Sequence, residues 1–147
     1  MSGAAFSQDA VPSALKDEIF ARKILMDSID SHMDAIDWMA NSGKAIDLPR
    51  VAEHADTISI MLMAFPHLFP PSSNQWRPNA KRDPARDTFA SPALWANFAD
   101  FYRQAAAASR IAFKASRTKR EADFKTHMAA LRGACDSCHA AYLKTGE

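Results

Sequence analysis

The sequence predicts an all-α fold, an antiparallel up-down-up-down four-helix bundle. Along four segments the apolar residues recur at alternating spacings of three and four, which is the pattern of helices that bury one stripe. The connections between the first and second and between the third and fourth segments are short, so these pairs should lie antiparallel. Only four glycines occur in 147 residues, and few runs are strand-like, which argues against an all-β fold.

Length and composition fit one globular domain. Hydrophobic residues make up 48% of the 147 residues, enough for a hydrophobic core. We expect a flexible lead over residues 1–12 and one domain over residues 13–147. The net charge of +1 gives no indication of binding to nucleic acid or to an acidic membrane surface. No run of eighteen apolar residues occurs, so the sequence predicts no transmembrane segment.

The first predicted helix starts near Pro12 and Ser13 and ends at the C-cap signal Asn41-Ser42-Gly43. Arg22 is the one charged member of its apolar stripe. A charged residue on a buried face needs a partner, for which a carboxylate is well suited; alternatively, its guanidinium reaches the edge of the bundle. The other members of the stripe are Leu15, Ile19, Met26, Ile29, Met33, Ile36 and Ala40.

The second predicted helix starts near Asp47, with Pro49 in its first turn. Pro66 should end or kink it. Its stripe consists of Val51, Ala55, Ile58, Leu62, Phe65 and Phe69. A proline-rich crossover loop follows over residues 66–92, in which Trp76 should pack against the domain. The loop also carries the basic residues Lys81, Arg82 and Arg86.

The third predicted helix starts at Ser91, an N-cap residue, with Pro92 in its first position. Its stripe consists of Leu94, Phe98, Phe101, Ala105, Ala108 and Ala112. The alanines would let a neighbouring helix or a flat cofactor come close. The fourth helix starts between Thr118 and Glu121, and its stripe consists of Phe124, Met128, Leu131, Cys135, Cys138 and Tyr142.

The most informative motif is Cys135-Asp136-Ser137-Cys138-His139. Cys-x-x-Cys-His is the attachment motif of a c-type haem. On a helix the two cysteines share a face and His139 lies one turn beyond Cys135, so two thioethers and one axial iron ligand come from a single helix. Two alternatives are a dithiol redox centre and half of a zinc site. The chain has no strand pattern and no further cysteine to support either, and neither explains His139.

The residues alone leave the sixth iron ligand open. A methionine, a second histidine or no ligand would all be compatible with the motif. The chain has seven methionines and five histidines. Methionine is a common core residue in bundles, and His32, His54, His67 and His127 fit surface or loop positions.

The chain resembles the cytochrome c′ family over about residues 15–143. The similarity is carried by Ala21-Arg22-Lys23-Ile24-Leu25-Met26, Leu68-Phe69-Pro70, Leu94-Trp95 and the segment from Cys135 to Tyr142. In that family the residue four after the first-helix arginine faces the distal side of the haem. High-spin members carry a non-ligating residue there, and low-spin relatives carry methionine. The resemblance therefore implies that His139 and Met26 bind the iron, and a haem propionate is the expected partner of Arg22.

One position departs from the family pattern. Family members usually carry Arg or Lys directly after the residue that matches Tyr142, whereas this chain has Leu143 there and Lys144 one position later. In gas-binding members the basic group lies near the proximal haem face. Its absence makes a proximal gas site less well supported and says little about electron transfer.

These observations favour a mono-haem electron carrier with one covalent haem c and its iron. The alternative is a five-coordinate binder of nitric oxide or carbon monoxide. We expect no enzyme activity, because no distal acid–base group is identifiable and His32 is not on the helical face of Met26. Expected partners are redox proteins in transient contact. A homodimer is compatible with apolar residues such as Trp38 and Met39, if these are exposed; the alternative is that they belong to the core.

The expected location is the bacterial periplasm, where haem of this type is normally attached. Residues 1–12 lack the basic and apolar regions of a signal peptide. The simplest interpretation is that the sequence represents a mature chain.

Overall fold

The computed structural model describes residues 10–76, 79 and 89–144, with side chains from Asp17 onward. This part of the chain contains five α-helices: α1 (Ala10–Ala40), α2 (Leu48–Ala64), α3 (Pro92–Ala96), α4 (Phe98–Ser116) and α5 (Glu121–Tyr142). Short 3₁₀ turns occupy Phe65–Leu68 and Pro71–Ser73. The four long helices, α1, α2, α4 and α5, form a four-helix bundle, as the sequence predicts. None of the described helices is both long and apolar enough to cross a membrane.

Helix α1 begins at Ala10, two residues before the predicted start at Pro12. Residues 1–9 of the predicted lead, and the side chain of Leu15, lie outside the described part of the chain. The predicted end is confirmed: α1 stops at Ala40, and Gly43 has a φ of +72°. A residue without a Cβ takes this left-handed conformation at little cost.

Local chemistry fixes both ends of α2 where the sequence places them. The Asp47 carboxylate accepts a hydrogen bond from the backbone N–H of Arg50 at 3.2 Å and so caps the helix. Pro66 cannot donate a backbone hydrogen bond, and the chain tightens into the 3₁₀ turn at this point. Phe65 and Phe69 are nevertheless buried, so the apolar stripe continues beyond the helix.

The third predicted helix is wrong as one continuous element. Ser91 caps α3 as expected, its hydroxyl accepting from the N–H of Ala93 at 3.2 Å, but Asn97 interrupts the helix with φ −123° and ψ 40°. The Asn97 amide donates to the carbonyl of Ala93 at 3.2 Å, an alternative bond that asparagine offers the backbone. The break moves Phe98 off the buried face, leaving it 38% exposed.

The packing of the long helices is uneven, and this creates the space for a site. Helix α2 packs closely against α4, α4 against α5, and α1 against α2, whereas α1 and α5 are in sparse contact. Toward one end of the bundle the core is continuous across α1, α2, α4 and α5 and includes Ile36, Ile58, Ala112 and Leu131. Toward the other end α1 and α5 enclose a cavity.

The chain that precedes α3 runs beside the chain that follows α5. Ser91 N–H donates to the carbonyl of Tyr142 at 2.8 Å, and Lys144 N–H donates to the carbonyl of Phe89 at 2.7 Å. The Lys144 ammonium lies 5.3 Å from the centre of the Trp76 ring, which is half-buried as predicted. These contacts hold the last residues of the crossover loop against the C-terminal end of α5, which borders the cavity. The basic residues Lys81, Arg82 and Arg86 lie outside the described part of the chain.

Candidate functional site

The cavity between α1 and α5 has a volume of about 570 Å³. This lies within the roughly 300–1,000 Å³ that small-molecule and cofactor sites occupy. Its lining is mainly apolar and comes from all four long helices, the Phe65–Leu68 turn and the segment before α3. All five residues singled out from the sequence line it: Arg22, Met26, Cys135, Cys138 and His139.

The α5 wall carries the Cys-x-x-Cys-His motif. Cys135 and Cys138 are half-buried, both are free thiols, and His139 follows on the more exposed side. The helix continues through Tyr142, so the three side chains keep the helical spacing that brings residues three and four apart onto one face.

The thiols do not have the character of a low-pKa redox pair. Burial raises the pKa of Cys135, with the nearby charges of Asp136 and Asp30 adding to the effect. Burial and the neighbouring Cys135 raise the pKa of Cys138 to about 11. Catalytic dithiols instead have a lowered thiol pKa. The electrostatics therefore argue against the dithiol alternative.

The α1 wall carries Met26 and, two helical turns further along, Met33. Met26 is half-buried, and Met33 is buried. Both thioethers thus border the same cavity as His139. The sequence stripe predicts the inward position of Met26, and the structure confirms that position.

Arg22 lies in the same wall and is only 2% exposed. Its Nη1 donates to the Ser73 hydroxyl at 2.8 Å and to the Leu68 carbonyl at 3.2 Å, and its Nη2 donates to the Ser73 carbonyl at 3.2 Å. The guanidinium also lies 4.5 Å from the centre of the Phe69 ring. Burial lowers the Arg22 pKa to about 10, although the charge of Glu18 opposes this. The alternative in which Arg22 reaches the solvent at the bundle edge is therefore wrong.

The floor of the cavity is made by α2, α4 and the turn after α2. Phe65 and Phe69 contribute aromatic rings, stacked edge-to-face at 5.0 Å. Ala105 and Ala108 from α4 are buried and line the same space. Their small side chains leave room beside the helix, as expected for a flat group that must come close.

At the end of α5, Tyr142 lines the cavity and its hydroxyl donates to the Asp100 carboxylate of α4. Gln104 donates to the same carboxylate at 2.8 Å, and Arg103 forms an ion pair with it. The hydrogen bond to Asp100 raises the Tyr142 pKa to about 12 and, with that of Gln104, lowers the pKa of Asp100. This network ties α5 to α4 beside the motif.

The chemistry of this lining fits a haem. Two thiols and an imidazole lie on one wall, thioether side chains lie on the opposite wall, and a buried guanidinium borders the same cavity. An apolar floor suits the porphyrin face. No group of three or more metal-binding His, Cys, Asp or Glu side chains occurs among the described residues, so this part of the chain gives the zinc alternative no further ligands.

Comparison with known proteins decides the family. A family model described as Cytochrome C' matches residues 17–143. The chain belongs to the cytochrome c′ family. It is therefore a mono-haem c-type cytochrome, and its cofactor is one covalently attached haem c with its iron.

The relatives agree in sequence and in fold. Cytochrome c-556 of Agrobacterium tumefaciens (strain II Chrys) is 32% identical over 127 residues, covering 85% of this chain and 95% of that protein. Cytochrome c′ from Rubrivivax gelatinosus is 25% identical with a TM-score of 0.73, over 88% of this chain and 97% of that one. A structure of oxidised cytochrome c556 from R. palustris matches at 22% identity and a TM-score of 0.73, over 89% and 98% of the two chains.

The structure also contains features that the sequence did not predict. Ser73 and Asp100 bond to residues far away in the chain, Arg22 and Tyr142, and no periodic pattern marks them or Gln104, which supports Asp100 within α4. His32 and His54 are not isolated surface residues: their Nδ1 atoms lie 2.7 Å apart between α1 and α2. Leu143, where the family usually has a basic residue, lines the cavity and pairs its backbone with Ala90.

Proposed function

We propose that this cytochrome is an electron carrier whose haem is attached through Cys135 and Cys138 and whose iron is bound by His139 and Met26. The observation that carries the proposal is the position of Met26 on the cavity wall across from the motif-bearing helix. When bound, the haem supplies a ferric/ferrous couple that accepts and releases single electrons.

The side chains contribute burial, ligation and orientation. Cys135 and Cys138 would hold the porphyrin on α5, while His139 and Met26 would bind the iron. Two protein ligands leave little to rearrange when the oxidation state changes, which favours electron exchange over binding of an external ligand. A thioether ligand also raises the reduction potential relative to a second imidazole.

Arg22 would act at the edge of the cofactor. Its guanidinium is fixed by Ser73 and Leu68 and borders the cavity, so it is positioned to compensate a propionate charge in a poorly hydrated place. A propionate beside the guanidinium would offset part of the cost of burying this cation. Such pairing would account for an arginine on an otherwise apolar helix face.

The cavity rim carries both signs of charge. Lys23 and Arg132 border the opening together with three exposed acidic residues, Asp27, Asp30 and Asp136. Such a rim would orient a redox partner during a brief encounter, with ionic-strength-dependent association. We propose transient redox-protein partners on this basis, and the periplasm as the location, because haem of this type is normally attached there. Finding the haem-bearing protein in the cytoplasmic rather than the osmotic-shock fraction of native cells would contradict the location.

A homodimer is part of the proposal. Helices α1 and α2 expose large apolar side chains, among them Trp38 at 74%, Phe20 at 65% and Met63 at 64%. Surfaces of this kind on adjacent helices favour association. Sedimentation equilibrium of the wild type and of a Phe20→Ser/Met63→Ser double variant tests it: a wild-type monomer at all concentrations would contradict the proposal.

The deciding experiment is the visible absorption spectrum of purified protein, ferric and ferrous, with and without carbon monoxide. Sharp, split ferrous bands that carbon monoxide does not change support two protein ligands. Broad high-spin bands that shift with the gas would overturn His139/Met26 ligation and favour the five-coordinate gas-binding alternative.

A further inference from the structure

His32 and His54 meet outside the haem cavity, between α1 and α2. Their Nδ1 atoms are 2.7 Å apart, and the two rings are inclined by 61° with centres 4.9 Å apart. Neither residue belongs to the cavity lining. Both side chains are half-buried, so the pair lies where the seam between α1 and α2 meets the surface.

We propose that His32 and His54 form a binding site for a divalent transition-metal ion that favours square-planar coordination by nitrogen, of the copper(II) class. Neutral imidazole is a common ligand for such ions through either ring nitrogen. Here two imidazoles from adjacent helices face each other through the same nitrogen, Nδ1.

The distance between the nitrogens can be compared with the spacing that each coordination geometry requires. Two nitrogens bound at right angles to one ion, each about 2.0 Å from it, lie about 2.8 Å apart, whereas tetrahedral angles require about 3.3 Å. The observed 2.7 Å separation is that of a hydrogen bond, and it is nearer to the right-angle value than to the tetrahedral one, so the smaller movement leads to neighbouring positions of a square plane. The site therefore suits copper(II) or nickel(II) better than zinc, which takes tetrahedral sites.

The same distance is that of a hydrogen bond between the two rings in the metal-free protein. One ring then donates from Nδ1 and the other accepts. Metal binding requires that the donating ring carry its proton on Nε2 instead and that both rings turn their Nδ1 lone pairs toward the ion; no net proton is lost. The hydrogen bond thus holds the two ligands in place before an ion arrives, which reduces the cost of ordering them.

Water would complete the coordination shell. In the described part of the chain no third His, Cys, Asp or Glu joins the pair into a larger cluster. A two-ligand site with open positions should bind its ion reversibly and more weakly than a closed structural site. Because one ligand comes from each helix, the ion would clamp α1 to α2 and raise the thermal unfolding midpoint.

The test uses untagged haem-loaded protein, with copper(II), nickel(II) and zinc(II) as probes in isothermal titration calorimetry. We expect one copper equivalent bound, with nickel weaker and zinc weakest. His32→Gln and His54→Gln should each weaken copper binding by at least the roughly tenfold to hundredfold that loss of an outer-shell partner costs. The matched controls His67→Gln and His127→Gln should bind copper as the wild type does.

X-ray absorption at the copper edge gives an independent measurement that the haem iron does not affect. It should show two imidazole nitrogens in the wild type and fewer in each variant. The proposal is overturned by the absence of a one-equivalent copper site in the wild type, by a site that survives both His32→Gln and His54→Gln, or by a site lost equally in the controls. Circular dichroism establishes that each variant is folded.

Discussion

The Tyr142 hydroxyl donates a hydrogen bond to the Asp100 carboxylate, and this bond joins the last turn of α5 to the first turn of α4. Tyr142 also packs edge-on against Phe101 at 5.6 Å and lines the haem cavity. A carboxylate acceptor favours the neutral phenol, because the phenolate would face another negative charge. The Tyr142 pKa is accordingly about 12 instead of 10.0.

Replacing the acceptor should therefore release the phenol. In Asp100→Asn we expect the Tyr142 pKa to fall from about 12 toward 10.0, measured by the ultraviolet absorbance of tyrosinate during an alkaline titration. Tyr142→Phe identifies which of the two tyrosines gives the signal. Asp123→Asn, which removes a carboxylate paired with Arg120, is the control and should leave the titration unchanged. An unaltered midpoint in Asp100→Asn would contradict the assignment.

The same bond predicts how stability depends on pH. Because the Tyr142 pKa is raised in the folded protein, the stabilisation of the fold by its protonated hydroxyl is complete below pH 10.0. That stabilisation is lost as pH rises toward about 12. Because the Asp100 pKa is lowered in the folded protein, the stabilisation of the fold by its ionised carboxylate is present above pH 3.8. That stabilisation is lost as pH falls below this value. Urea midpoints of wild type and Tyr142→Phe should therefore converge at strongly alkaline and strongly acidic pH, and a constant difference would refute the linkage.

Met26→Leu tests the sixth ligand with little change in side-chain volume. We expect a low-spin, six-coordinate haem to become high-spin and to bind carbon monoxide, as seen in the visible spectrum. Met33→Leu is the matched control, because Met33 lines the same cavity from the same helix. It should keep the wild-type spectrum. A low-spin spectrum that persists in Met26→Leu, or its loss in Met33→Leu, would exclude Met26 as the ligand.

The covalent attachment can be tested one thioether at a time. Cys135→Ser and Cys138→Ser should each retain haem after denaturation through the remaining bond, and the pyridine haemochrome band should shift because one vinyl group stays unsaturated. The double variant should release all its haem on a denaturing gel. Ser137 lies between the cysteines and donates to the Gly133 carbonyl at 2.8 Å, so Ser137→Ala is the control with both thioethers intact. Wild-type protein that loses its haem on denaturation would disprove the attachment.

Arg22→Met should destabilise the fold. It removes the hydrogen bonds to Leu68 and Ser73 and leaves the Leu68 carbonyl and the Ser73 hydroxyl without this donor. We expect a loss of about 2–4 kcal/mol in urea unfolding. Arg22→Lys should not restore the wild-type value, because an ammonium cannot reproduce the planar fork of donors.

Lys125→Ala is the control for this experiment, because it removes an exposed ion pair with Glu121 within α5. An exposed, solvent-screened pair of this kind contributes little to the free energy of unfolding. If Arg22→Met cost no more than this control, the buried network would contribute little to stability.

The sequence by itself determined the features that depend on short spacings. The haem motif is five residues long, and helical geometry alone puts Cys135 and Cys138 on one face. The apolar stripes likewise predicted the buried faces of the long helices, because burial repeats with the helical period. The caps at Asp47 and Ser91 followed from the hydrogen-bonding capacity of single side chains.

Only the tertiary structure decided how separate segments meet. The gap between α1 and α5 puts Met26 and His139 on one cavity, and the turn after α2 brings Ser73 to Arg22. The break at Asn97 and the contact between His32 and His54 likewise depend on competition among local hydrogen bonds and packing. No periodicity records such contacts, because they depend on the distances and angles between packed helices and not on spacing along one of them.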